Sequence, residues 1–130
     1  MIAGTGIDSV EIARFAQWHT WGKKKLSRIF SESEIEYCLS NQALSAQRFA
    51  VRFAAREALF KAITAAWPAH TIPFFTLCHA TKILKKRAPE LHLSWGELEP
   101  FPCQYHSLTL HLSLTHTNHI AMAIVIIESL

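Results

Sequence analysis

The chain has 130 residues, half of them hydrophobic and 18% charged, a length that suits one domain around a single core and a composition that excludes a disordered chain. Its formal net charge of +3 makes a poor electrostatic case for nucleic acid, and no apolar run is long enough to span a membrane, "IAMAIVII" being only eight residues. Three widely spaced cysteines, Cys38, Cys78 and Cys103, contain no C-x-x-C pair, so neither a disulfide framework nor a thiolate zinc site is indicated, and a soluble, uncleaved, cytoplasmic protein with reduced thiols is expected.

The opening "IAGTGI" reads as a strand in which Gly4 and Gly6 allow another backbone or a ligand to come close. "DSVEIARFAQWHTW" then switches to helical spacing, anchored by Val10, Ile12, Phe15, Trp18 and Trp21, and makes Asp8 a strand-to-helix junction. Lys23, Lys24, Lys25 and Arg28 form a basic patch, either a solvated charge run or a seat for an acidic protein partner. Ser31 followed by Glu34 is a capping-box pattern that starts a short helix. Ser45 is the expected N-cap of the longest helix, from Ala46 to Ala66, which Pro68 ends. "FFTLCHATKIL" and "ELHLSW" read as strands joined by a turn at Arg87 to Pro89, and residues 96 to 106 as a poorly patterned connection. Leu108, Leu110, Leu112 and Leu114 alternate with polar residues, turn at His116 to His119, and lead into an apolar strand, which makes a hairpin. Helices early and strands late predict an α+β fold, with a mostly antiparallel sheet packed against the long helix.

Asp8 can cap a helix, or hold a hard cation beside the two glycines. Glu57 and Lys61 stand four apart and, as an exposed pair, contribute about 0.2–0.5 kcal/mol. Yet Arg48, Arg52 and Arg56 also recur every four residues, among Phe49, Phe53, Leu59, Phe60 and Ile63. Like charges at that spacing repel unless an anion or acidic group compensates, which points to an anionic ligand. Carboxylates together with cations suit a magnesium–phosphate site, because Mg²⁺ takes one or two carboxylates and completes its octahedron with phosphate oxygens and water. His106, His111, His116 and His119 lack zinc-ligand spacing; His116, at the end of a strand, is the one placed to meet a phosphate. No P-loop and no G-x-S-x-G elbow is present.

Three segments together resemble the holo-acyl-carrier-protein synthase family of 4'-phosphopantetheinyl transferases: "GTGIDSVEIARF" at 4 to 15, "RFAAREALFKA" at 52 to 62, and "LHLSLTHTNHIAMAIVIIE" at 110 to 128. The resemblance implies Mg²⁺-dependent transfer of phosphopantetheine from coenzyme A to a serine of apo acyl carrier protein, leaving 3',5'-ADP. It implies that Asp8 and Glu57 hold Mg²⁺, that Lys61, with Arg56 and Arg52, contacts phosphate, that His116 binds the nucleotide end, and that Arg14 meets the acidic carrier. It also implies an α+β fold and a homotrimer with active sites between subunits, in keeping with the apolar composition. The chain departs from the family pattern at Arg56, where Lys is usual, and in "AITAAWPAH", where Thr64 and Ala66 replace the glycines of a Gly-Thr-Gly loop. A noncatalytic carrier-protein or nucleotide binding module, and a structural module with surface ion pairs, are the alternatives.

Overall fold

The computed structural model describes residues 1–98 and 107–130. Strands β1 (Ile2–Glu11), β4 (Leu108–His116) and β5 (Ile120–Ser129) form one antiparallel sheet in the order β1-β5-β4. The central place of β5 explains its apolar sequence, for it is paired on both edges and its Ala121, Ala123, Val125 and Ile127 are buried against the long helix. That helix, α3 (Gln42–Ala66), lies across the inner face of the sheet. Helices α1 (Lys23–Leu26), α2 (Glu32–Leu39) and α4 (Phe74–Ala80) and the small hairpin β2 (Thr81–Leu84) and β3 (Glu90–Leu93) complete the described elements, with 3₁₀ turns at Ile12–Phe15, Trp18–Thr20 and Trp95–Leu98.

The α+β arrangement and the C-terminal hairpin agree with the sequence reading, while three local expectations are corrected. First, β1 runs on through Asp8 to Glu11, because Asp8, Ser9, Val10 and Glu11 pair with Ala123, Met122, Ala121 and Ile120. The helical spacing that follows survives only as two 3₁₀ turns, which carry Phe15 and Trp18 into an aromatic cluster with Phe30, Phe49 and Phe53. Second, α3 begins one turn early, with Asn41 as N-cap, and Ser45 is buried inside the helix with its hydroxyl lacking a hydrogen-bond partner. Third, Phe74–Ala80 is helical: Phe74, Leu77 and Cys78 sit at helical spacing, and the amide of Leu77 donates to the carbonyl of Pro73. The expected end of the helix holds: Thr64 and Ala66 belong to α3, which is closed by the Trp67 amide on the Ile63 carbonyl. The connection expected at 96–106 lies largely outside the described residues.

Gly4 and Gly6 have a definite task. A side chain at Gly6 would strike the carbonyl oxygen of Ala58 and stand 2.7 Å from the amide nitrogen of Ala62, and one at Gly4 would meet the Ala62 carbonyl and, at 2.9 Å, the Ala66 methyl group. A stripe of alanines on α3 thus seats against two glycines on β1, and what comes close is backbone. Gly6→Ala should destabilise the fold by about 3 kcal/mol, the upper end of overpacking costs, because backbone cannot swing aside as a flexible side chain can. Urea unfolding checks this; an unchanged midpoint would refute the packing account.

Candidate active site

Strand alternation places Asp8 on the same side of β1 as Gly6 and Val10, facing α3. Its side chain is only 15% exposed; Oδ1 accepts a hydrogen bond from Lys61 Nζ at 3.0 Å, and Oδ2 is buried without a hydrogen-bond partner. Lys61 also donates to the Ile7 carbonyl at 3.0 Å. Glu57, one helical turn before Lys61, is half-buried, and its carboxyl is held above its ordinary value by burial first and by the charge of Asp8 second, against opposing pulls from Lys61 and Arg14. The two carboxylates therefore act on each other electrostatically although β1 and α3 are distant in sequence. Arg14, in the turn after β1, is exposed and close enough to add its charge to the same cluster.

This donor set fits a divalent cation. An orphaned buried carboxylate oxygen and a second carboxylate raised by its neighbour are two costs that a metal ion removes together. Among the described residues no group of three or more His, Cys, Asp or Glu gathers as a self-sufficient metal site. Two carboxylates suit an ion such as Mg²⁺, which takes its remaining oxygens from phosphate and water.

His116 sits at the end of β4, on the same helix-facing side of the sheet as Asp8. Strand spacing puts the two roughly 12 Å apart. Its Nε2 lies 2.8 Å from Gln47 Nε2, which makes it the acceptor, and its Nδ1–H donates to the Thr117 carbonyl at 3.2 Å.

Arg56 is placed elsewhere, and its expected contact with phosphate is corrected. It is fully buried, with Nη1 and Nη2 on the two oxygens of Glu34 at 2.9 and 2.7 Å and Nη2 also on the Thr81 carbonyl at 3.0 Å. The arginine ladder is thus compensated from within. Arg48 donates to the Tyr37 carbonyl and Ser40 hydroxyl, and its guanidinium lies 4.0 Å from the Tyr37 ring centre. Arg52 is 4.0 Å from Glu34 through an Nε with no hydrogen-bond partner, and with Tyr37, Lys85 and Lys86 it lines a cavity of about 340 Å³. Sequence reasoning missed Glu34 as the ladder's partner; its capping-box position was the signal, since the same carboxylate accepts the Ser31 amide and hydroxyl.

Cys38 and Cys78 are buried, and burial pushes their thiols up to about 12, which disfavours the reactive thiolate. Cys103 and His106 lie outside the described residues. No described helix is long and apolar enough to cross a membrane.

A long helix thus lies over an antiparallel sheet, with two carboxylates and a lysine where they meet. Residues 4–125 match the model of the 4'-phosphopantetheinyl transferase superfamily. The chain is 38% identical over 128 residues to a holo-(acyl-carrier-protein) synthase of Treponema denticola, covering 98% of this chain and 99% of that one. It is also 38% identical over 135 residues to one of Geobacter sp. strain M21, covering 98% and 99%. The crystal structure of a Bacillus anthracis holo-(acyl-carrier-protein) synthase in complex with coenzyme A (3',5'-ADP) superposes with a TM-score of 0.74 at 27% identity, over 100% of this chain and 99% of that one. The chain belongs to the holo-(acyl-carrier-protein) synthase family of 4'-phosphopantetheinyl transferases, and it is an enzyme of that class.

Proposed function

We propose that this enzyme transfers the 4'-phosphopantetheine arm of coenzyme A to a serine hydroxyl of an apo acyl carrier protein, with Mg²⁺ held by Asp8 and Glu57 and 3',5'-ADP released. One observation carries the reading: the buried, unpartnered Oδ2 of Asp8 beside Glu57, whose carboxyl is raised by burial and by Asp8. The bound ion supplies charge neutralisation of the pyrophosphate. The chain's own residues do the rest. Lys61 brings an ammonium to the cluster for the leaving phosphate, and the serine proton passes to Glu57 or to a water as the new O–P bond forms and the P–O bond to the departing nucleotide breaks.

Away from that centre, His116 binds the nucleotide end, and Arg52, on the α2 side of α3, is a separate phosphate contact. Arg52 lines a cavity together with Lys85 and Lys86, where the three cations suit a phosphate. Arg14, exposed beside Glu57, meets the acidic carrier. The chain works as a cytoplasmic homotrimer with sites between subunits. The outer sheet face supports this, because Ile7, Met122 and Ile124 are 56%, 37% and 38% exposed on neighbouring strands and line an apolar hollow there.

The test is the intact mass of an apo carrier protein after incubation with the full chain, coenzyme A and Mg²⁺. One phosphopantetheinyl group should be gained, and none should be gained when a chelator is present from the start. No gain on any of several apo carriers would overturn the proposal.

A further inference from the structure

The Lys61 ammonium is held by two acceptors, the Asp8 carboxylate and the Ile7 carbonyl, each at 3.0 Å. It is therefore fixed on the strand that carries Asp8 as well as on the helix that carries Glu57. The side chain is nonetheless 52% exposed, on a flexible four-carbon stem, so leaving that position costs little. Asp8 and Glu57 together carry two negative charges; Lys61 and the more remote Arg14 are the cations whose fields reach Glu57. From one position the ammonium satisfies Asp8 Oδ1 and lowers the field that would draw a divalent cation to the pair.

We propose that Lys61 is the internal counter-ion of Asp8, competing with the divalent cation for that carboxylate and turning to the phosphate of the substrate once the cation is held. The inference rests on the reading of Asp8 and Glu57 as the cation-binding pair. Its reasoning is one of like charges: an ammonium in contact with one ligand oxygen repels a second cation at the other, at close range and in partly desolvated surroundings. When the cation shares the charge of Asp8, the ammonium loses its strongest attraction in the cluster, and a phosphate dianion is the best acceptor remaining. The lysine thus reaches the leaving group together with the metal and not before it. Weak cation affinity in the free enzyme is the consequence.

Titration of the full chain with Mn²⁺ alone, followed by the paramagnetic resonance signal of the free ion, tests this without turnover. Lys61→Met should bind Mn²⁺ at least about tenfold more tightly than the wild type. Lys61→Arg, which keeps the charge, should stay near the wild type, and Asp8→Asn should lose binding. A gain in affinity is a readout that damage to the fold cannot imitate. Unchanged or weaker binding in Lys61→Met, with the wild type still binding through Asp8, would overturn the inference while leaving the Asp8–Glu57 reading intact. No binding by the wild type or by Lys61→Met would overturn the cation-pair reading and the inference with it.

Discussion

Arg56→Met should lower the unfolding free energy by about 3–5 kcal/mol, because it leaves the Glu34 carboxylate buried without its bidentate partner. Glu34 is 2% exposed and Arg56 is fully buried, so water cannot replace the lost contacts. Arg56→Lys, which restores the residue usual in the family, should cost less, about 1–2 kcal/mol, since one ammonium cannot span both carboxylate oxygens and still reach the Thr81 carbonyl. The dependence on pH gives a sharper test. Burial pushes the Glu34 carboxyl up, but the charge and hydrogen bonds of Arg56 and the hydrogen bonds of Ser31 more than offset it, so the net shift is below the ordinary 4.5. Stability from this pair is therefore complete above pH 4.5 and is lost as pH falls through the lower folded-state value. With Arg56 gone, burial dominates and the sign reverses: the buried carboxyl prefers its neutral form, and acidification should recover stability. Urea unfolding across a pH series would show opposite slopes in the two proteins; parallel slopes would refute this role for Arg56.

The ladder also marks where the sequence stopped being informative. Arg48, Arg52 and Arg56 announce a charge problem, but the solution at Arg56 lies 22 residues away, at a glutamate already occupied by a local task in the capping box. A residue that serves two partners is read for the nearer one, and an anionic ligand then looks necessary where an internal carboxylate suffices. The boundary of β1 failed for a related reason. Ile12 belongs both to an alternating pair with Val10 and to a three-apart series with Phe15, Trp18 and Trp21, and pairing of β1 with β5, invisible in a single segment, settles the matter. Phe74–Ala80 is the same ambiguity in the other direction, a short apolar run that either period accommodates.

Long regular patterns were legible. Leucines at every second position from Leu108 to Leu114 could only be a strand with one face turned inward, and they are half-buried there while their neighbours Thr109, His111, Ser113 and Thr115 are exposed. A run free of Gly and Pro through Ala66 could only be a long helix, although its start could not be located within a turn. At the site, Gly4 and Gly6 indicated a close approach and were silent about what approached. The convergence of Asp8 with Lys61 and Glu57 became evident only through the resemblance of three segments, since nothing local in either element names the other as its partner.

Glu57→Gln should reduce phosphopantetheinyl transfer by at least about 10²–10³-fold while leaving the fold as stable as before or slightly more so. The two halves of that expectation have one cause. Glu57 is held above 4.5 by burial and by the negative charge of Asp8, so its ionised form is a net cost to the folded protein that sets in as pH rises past 4.5 and is complete above the higher folded-state value. Replacing it with an uncharged side chain of the same shape relieves that cost and removes a cation ligand in the same step. Asp8→Asn should behave alike in transfer, and the double variant should be little worse than either single one, because residues that act as a unit through one ion are strongly non-additive. A residue retained only for stability would show the reverse pattern, with a lower urea midpoint and transfer in proportion to the folded fraction. Rates of carrier-protein mass gain, measured beside urea midpoints for the three variants, separate the two cases. Transfer by Glu57→Gln at the wild-type rate would remove the acidic pair from the chemistry altogether.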